Sequence, residues 1–347
     1  SRRRFGGIMR HPFLLILVSL AVVAAACGEA AESTGEGVTL RYAYQPGDTL
    51  AYDTDLQMTI DMTADGDIGI PGGFDMAMDM DISARSTYEI SEGPDPATLR
   101  LKVSTEFLDG SATADLLGTT EVMPIDELEM PALDVEMVID AQGSVVEMLV
   151  GGETIPLGIL ESLGGGSTGS LFPGFDSGQL LGPELPDGPV AVGSRWTTEL
   201  DRDTFGVEVH SRAEHTITAT EVVAGRDTYR IETVTTIEEI TYTLADLMRA
   251  LTENVDAIAG LSGDDMSAAD LEMAISVLAM MGMEMTFRMD RSVSEGTTWF
   301  DAADGVVVRM ESVAPQTMFI EMTGIPDTGD FSLDMDMNIV ATMRLAE

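Results

Sequence analysis

Residues 50–62 read LAYDTDLQMTIDM and residues 331–345 read FSLDMDMNIVATMRL. In the first, Leu50, Tyr52, Thr54, Leu56, Met58, Ile60 and Met62 take the even positions, and Asp53, Asp55, Gln57, Thr59 and Asp61 the odd ones. In the second, Phe331, Leu333, Met335, Met337, Ile339, Met343 and Leu345 face one way, with Asp334, Asp336 and Asn338 facing the other. Successive side chains of a strand point to opposite faces, so this two-residue period predicts long strands with one apolar and one wet face. The pattern returns in FDMAMDMDI (74–82), where Met76, Met78 and Met80 alternate with Asp75, Asp79 and Asp81, and again between Leu99 and Phe107. Sheets with one wet face are typically antiparallel. Strands longer than about ten residues, at roughly 3.3 Å each, belong to sheets that twist and curl. The expected fold class is therefore mainly β, a β-rich α+β fold built from long curled antiparallel sheets.

Turn residues divide the alternating runs: Pro46-Gly47-Asp48, Asp65-Gly66, Asp140-Ala141-Gln142-Gly143 and Asp304-Gly305. The chain also carries internal similarity. STYEISEGPDPATLRLKVSTE (86–106) matches HTITATEVVAGRDTYRIETVT (215–235), and MVIDAQGSVVEML (137–149) matches TWFDAADGVVVRM (298–310), in the same order. PGDTLAYDTD (46–55) pairs with VGSRWTTELD (192–201) as the first strand of each copy. These matches predict two related β repeats, 38–150 and 191–347, joined by a Gly/Pro-rich linker at 151–190. One stretch departs from the β period. From 244 to 281 the apolar spacing is helical, with Leu247, Leu251, Val255 and Ile258 on one face and Leu271, Ile275 and Leu278 on another. Thr243 with Asp246 and Ser267 with Asp270 have capping-box spacing, which predicts a helical hairpin packed on the sheet.

The N-terminus has its own signature. Arg2, Arg3, Arg4 and Arg10 precede an apolar run from Phe13 to Ala26, which ends in Ala24-Ala25-Ala26-Cys27. A charged region, a short apolar core and small residues at the cleavage site read as a secretory signal over 1–26. The run falls short of the roughly 20 apolar residues a membrane-spanning helix needs. The tetrapeptide resembles the lipobox of bacterial lipoproteins, with Ala24 in place of the usual Leu, so Cys27 is the expected lipidation site and 27–37 a flexible tether. Acyl chains at about 0.8 kcal/mol per buried methylene would attach the chain to a membrane through this anchor.

Composition narrows function. The chain has 18 basic and 60 acidic residues; setting aside the four leader arginines leaves 14 basic residues and about 46 net negative charges. Nucleic acid is excluded as a partner, because binding it relies on Lys and Arg neutralising phosphates. Cys27 is the only cysteine, which excludes disulfides, iron–sulfur clusters and thiol catalysis from the exported domain.

No catalytic set stands out, and an enzyme is not expected. There is no G-x-S-x-G elbow, and aromatic residues, the usual sugar platforms, make up only 5% of the chain. His210 and His215, five residues apart on a strand, face opposite ways and do not suit zinc; His215 reads as a satisfied core residue. Asp61, Asp65 and Gly66 echo a calcium loop, but Gly72 stands where a bidentate Glu is needed. Met-x-Met runs such as Met76, Met78 and Met80 carry soft thioethers that suit Cu(I). The strand period accounts for their spacing, however, and no cysteine or histidine cluster accompanies them. No metal or cofactor is expected. The chain has 24 methionines against 11 phenylalanines, many of them on the apolar strand faces. Flexible, polarizable Met is over-used where a surface must accept varied apolar partners. Met58, Met76, Met78, Met80, Met285, Met335 and Met337 are the candidate lining of a cavity for a lipid or other hydrophobic ligand.

LRYAYQPGDTLAYDTDLQMTIDM, LPDGPVAVGSRWTTELD and TTWFDAADGVVVRME together resemble an uncharacterised family of bacterial lipoproteins that share strand–PGD–strand, P-V-x-V-G-x-x-W and W-F-D-x-x-x-G-x-V pieces. The resemblance implies an exported, membrane-anchored envelope protein and assigns no activity or functional residue. In architecture, curled antiparallel strands with helices on the concave face are similar to LolA-like lipid-carrying lipoproteins. Two functions remain open at this point. One is a lipid-binding or lipid-carrying domain with a Met-lined cavity; the other is an envelope protein with a solid core that works through surface contacts with partners the sequence does not name.

Overall fold

The computed structural model describes residues 37–66, 74–116, 119–124, 135–150, 153–155, 182–204, 207–246, 249, 284–325 and 329–346. Val38–Glu347 forms one compact unit, whose architecture follows.

Among the described residues fifteen strands form one sheet. In chain order they are β1 (Thr49–Gly66), β2 (Phe74–Glu92), β3 (Leu99–Leu116), β4 (Thr119–Pro124), β5 (Val135–Ile139), β6 (Val145–Val150), β7 (Glu153–Ile155), β8 (Arg195–Thr204), β9 (Val207–Val223), β10 (Arg226–Ile237), β11 (Ile240–Thr243), β12 (Glu284–Met289), β13 (Ser292–Asp301), β14 (Val306–Ile325) and β15 (Gly329–Leu345). The order across the sheet is β7-β6-β5-β3-β2-β1-β15-β14-β13-β10-β9-β8, with β4 on β3, and with β12 lying between β11 and β14. The fold is mainly β, as the two-residue period predicts, and every strand pairing is antiparallel.

Each half is a six-stranded meander, and the halves meet where β15 lies beside β1. Segments 86–106 and 215–235 span the second-to-third hairpins, β2–β3 and β9–β10, while 137–149 and 298–310 span the fourth-to-fifth, β5–β6 and β13–β14. The last two hairpins share a detail. Each has a register shift immediately before its Asp, at Val138/Ile139 and at Trp299/Phe300. Asp140 Oδ1 accepts the backbone N–H groups of Gln142 and Ser144, and Asp301 Oδ1 those of Ala303 and Asp304. Gly143 and Gly305 complete these turns at positive φ, 88° and 65°, where an L side chain is strained. Asp65-Gly66 differs from its expected role: both residues belong to β1, and the connection at 67–73 lies outside the described residues.

The apolar face carries the core, which is built around residues 38–44. Leu40, Tyr42 and Tyr44 are buried and alternate with exposed Thr39, Arg41 and Ala43. Around them pack Tyr52 and Tyr88 of the first half, Ile217, Ile231, Phe300 and Met343 of the second, and Leu185 and Val190 from the segment between. Val38 and Val190 exchange two backbone hydrogen bonds of 2.8 Å, and Ala43 N–H donates to Gly305 O. Parts of the stretch 151–190, expected as a linker, are described. It contains β7, and its end is part of the core, with Leu185 only 2% exposed. An apolar side chain every few residues is enough to anchor an irregular segment when a sheet packs against it; Gly and Pro content alone does not report this. Residues 156–181 lie outside the described set.

The expected helix does begin after β11. Residues 244–246 are helical, and Thr243 and Asp246 form the capping box: Asp246 N–H donates to Thr243 Oγ1, and Thr243 N–H and Oγ1 donate to Asp246 Oδ2. The rest of the predicted hairpin, apart from Arg249, lies outside the described residues.

Candidate functional site: the methionine rows

Residues directly opposite each other in an antiparallel pair share a face of the sheet, roughly 4.5–5.5 Å apart. The register therefore sorts the apolar face into rows. One row runs Met76, Met62, Met335, Met318, Met289 across β2, β1, β15, β14 and β12. The next, toward the packed end, is Met78, Ile60, Met337, Gln316, followed by Met80, Met58, Ile339, Ala314. Met285, on β12 like Met289, lies opposite Met322.

Burial changes along these rows. Met58 is 4% exposed and packs with Leu56, Ile339, Ala341 and Ala314. Met76, Met78, Met80, Met285, Met335 and Met337 are half-buried, as are Met62, Met318, Met289 and Met322. Met80 and Met337 border the small cluster around Met58. Of the seven expected lining residues, Met58 is thus core and the other six lie on a half-buried apolar surface. The sequence reading left out Met62, Met289, Met318 and Met322, although Met62 stands in the first alternating run. What marks these four is their cross-strand position, which period-two spacing does not encode. Cys27 lies outside the described residues.

Gln316 is the polar exception on this face. It is 4% exposed, and its Nε2 donates to the backbone oxygens of Asp290 and Thr317, while its Oε1 has no donor. Toward β8 the same face becomes hydroxyl-rich. A cleft of about 30 Å³, room for a single water, lies among Thr233, Thr235, Ser294, Thr298 and Ser312. His215 is buried there between Thr198 Oγ1 at Nε2 and Thr233 Oγ1 at Nδ1, and stacks on Trp196. Burial pushes its pKa down to about 4, as befits a satisfied core histidine. Asp61 and Asp65, the residues that echo a calcium loop, are exposed strand positions of β1.

The opposite face is acidic. Asp61, Asp75, Asp79, Asp81, Asp334 and Asp336 are all exposed on the strands that carry the methionines. Arg85 and Arg344 pair with Asp53 and Asp55 nearer the packed end.

No protein-family model and no curated protein matches the chain. Among solved structures it is similar to the COG4313 outer membrane channel from Pseudomonas putida F1, at 7% identity and a TM-score of 0.26, over 88% of this chain and 98% of that one. Pseudomonas aeruginosa OccK5 (OpdH) follows at 7% identity and a TM-score of 0.24, over 86% and 98%. Scores this low say nothing about site or activity.

Proposed function

We propose that the chain is an exported envelope lipoprotein, tethered through Cys27, whose sheet presents the methionine rows to a lipid or other hydrophobic molecule. The supporting observation is the change in burial along one face of the sheet. Residues 38–44 and 182–190 fill its packed end, whereas the row from Met76 to Met289 is half-buried. Unbranched thioether side chains can reshape around acyl chains of differing form. The strongly acidic face would be repelled by anionic lipid headgroups, so attachment falls to the N-terminal anchor.

A second reading, an envelope protein that acts through surface contacts, draws on the dense packing of Met58 with Leu56 and Ile339. The two separate by mass spectrometry of organic extracts from residues 28–347, exported without the anchor cysteine and purified beside an unrelated acidic exported protein. Stoichiometric lipid found only with this chain supports the first reading. An empty extract after detergent-free purification overturns it and leaves the second.

A further inference from the structure

We propose that Met62, flanked by Met76 and Met335, forms a thioether site for a soft monovalent cation, Cu(I) or its analogue Ag(I). Strand period explains why methionines recur every second residue within one strand. It does not explain why methionine faces methionine at four successive strand pairings, Met76–Met62, Met62–Met335, Met335–Met318 and Met318–Met289. Any apolar side chain would serve a packed core at those positions. Opposed residues about 4.5–5.5 Å apart, on flexible side chains, bring three neutral sulfurs within reach of one ion without moving the backbone. Thioether sulfur selects Cu(I) over hard divalent cations. Among the described residues no cluster of His, Cys, Asp and Glu could hold a harder metal.

Two further features suit such a site. All three residues are half-buried, so an ion can reach them. On the opposite face, adjacent in sequence, stand the exposed carboxylates of Asp61, Asp75, Asp334 and Asp336. They cannot ligate through the sheet, yet their field raises the local concentration of cations. The site requires no bound lipid, and its failure would leave the lipid-binding reading untouched.

The test is anaerobic titration of the full chain, in a mild detergent, with Cu(I) against a chromophoric chelator, followed by X-ray absorption of the loaded protein. The expected result is one Cu(I) with sulfur as the only bonded scatterer. Met62→Leu combined with Met335→Leu should weaken binding roughly 100-fold or more, because one thioether is no soft-metal site, while the nearly volume-conserving change keeps the fold. Met148→Leu and Met310→Leu, at the packed end, should bind like the unmodified chain. Loss of all Cu(I) to the chelator, unchanged binding by the double variant, or nitrogen and oxygen ligands in the spectrum would each overturn the proposal.

Discussion

The ring of Tyr42 lies against the backbone of Gly143, so close that a Cβ there would stand 2.2 Å from Tyr42 Cε2. Tyr42 belongs to the segment at the centre of the core, and Gly143 to the β5–β6 turn. Tyr42 also donates from its hydroxyl to Pro183 O at 3.0 Å, so one side chain joins three separate parts of the chain. Gly143→Ala meets both this contact and a φ of 88°. It should cost roughly 2–5 kcal/mol, adding left-handed strain to overpacking. Denaturant unfolding gives the answer, and a loss below about 0.5 kcal/mol would show that Tyr42 moves aside freely.

His215 makes stability depend on pH. Its folded pKa of about 4 lies below the usual 6.5, so the unfolded chain takes up the proton first as pH falls. Its stabilisation is present above pH 6.5 and declines as pH drops from 6.5 through 4, by about 3 kcal/mol at 1.36 kcal/mol per unit. His215→Gln should flatten this part of the stability–pH profile. An unchanged slope between pH 7 and pH 4.5 in the variant would place the proton uptake elsewhere.

Burial along the methionine rows predicts an order of costs. Met58→Ala, deep in its cluster, should lose about 2–4 kcal/mol. Met78→Ala, two residues from Met80 and half-buried, should lose about 1 kcal/mol or less. Equal losses in thermal or denaturant unfolding would mean that the rows are as tightly packed as the core and would weigh against an accessible apolar surface.

Lipidation at Cys27 is tested by fractionation. Cys27→Ser should move the protein from the membrane pellet to the soluble fraction and abolish incorporation of labelled fatty acid, because an acyl anchor is the expected means of attachment. Continued sedimentation with membranes would require attachment through the folded domain.

Much of the fold was legible along the chain. Alternation in 50–62, 74–82 and 331–345 identified strands and assigned each residue to a face, because which way a strand residue points is a local property of the backbone. The turns at Asp140–Gly143 and Asp304–Gly305 were equally local, since the side chains of Asp140 and Asp301 cap backbone groups two to four residues on. At the end of the Gly/Pro-rich stretch, burial of Leu185 and Val190 was not legible, because it depends on a sheet packing against them. The helical spacing beyond Thr243 was visible, and so was its cap.

The amino-acid sequence by itself determined the strands, their wet and dry faces and the acidic surface, all of which follow from neighbours a few residues apart. Only the tertiary structure decided that β15 pairs with β1, bringing Arg344 to Asp55 across 289 positions of chain, and that Met62 stands between Met76 and Met335. Register is set by backbone hydrogen bonds between distant strands and by a shared core. A two-residue period is satisfied equally by every even shift of one strand against its neighbour, so it specifies the face of each methionine and leaves open which methionine it meets.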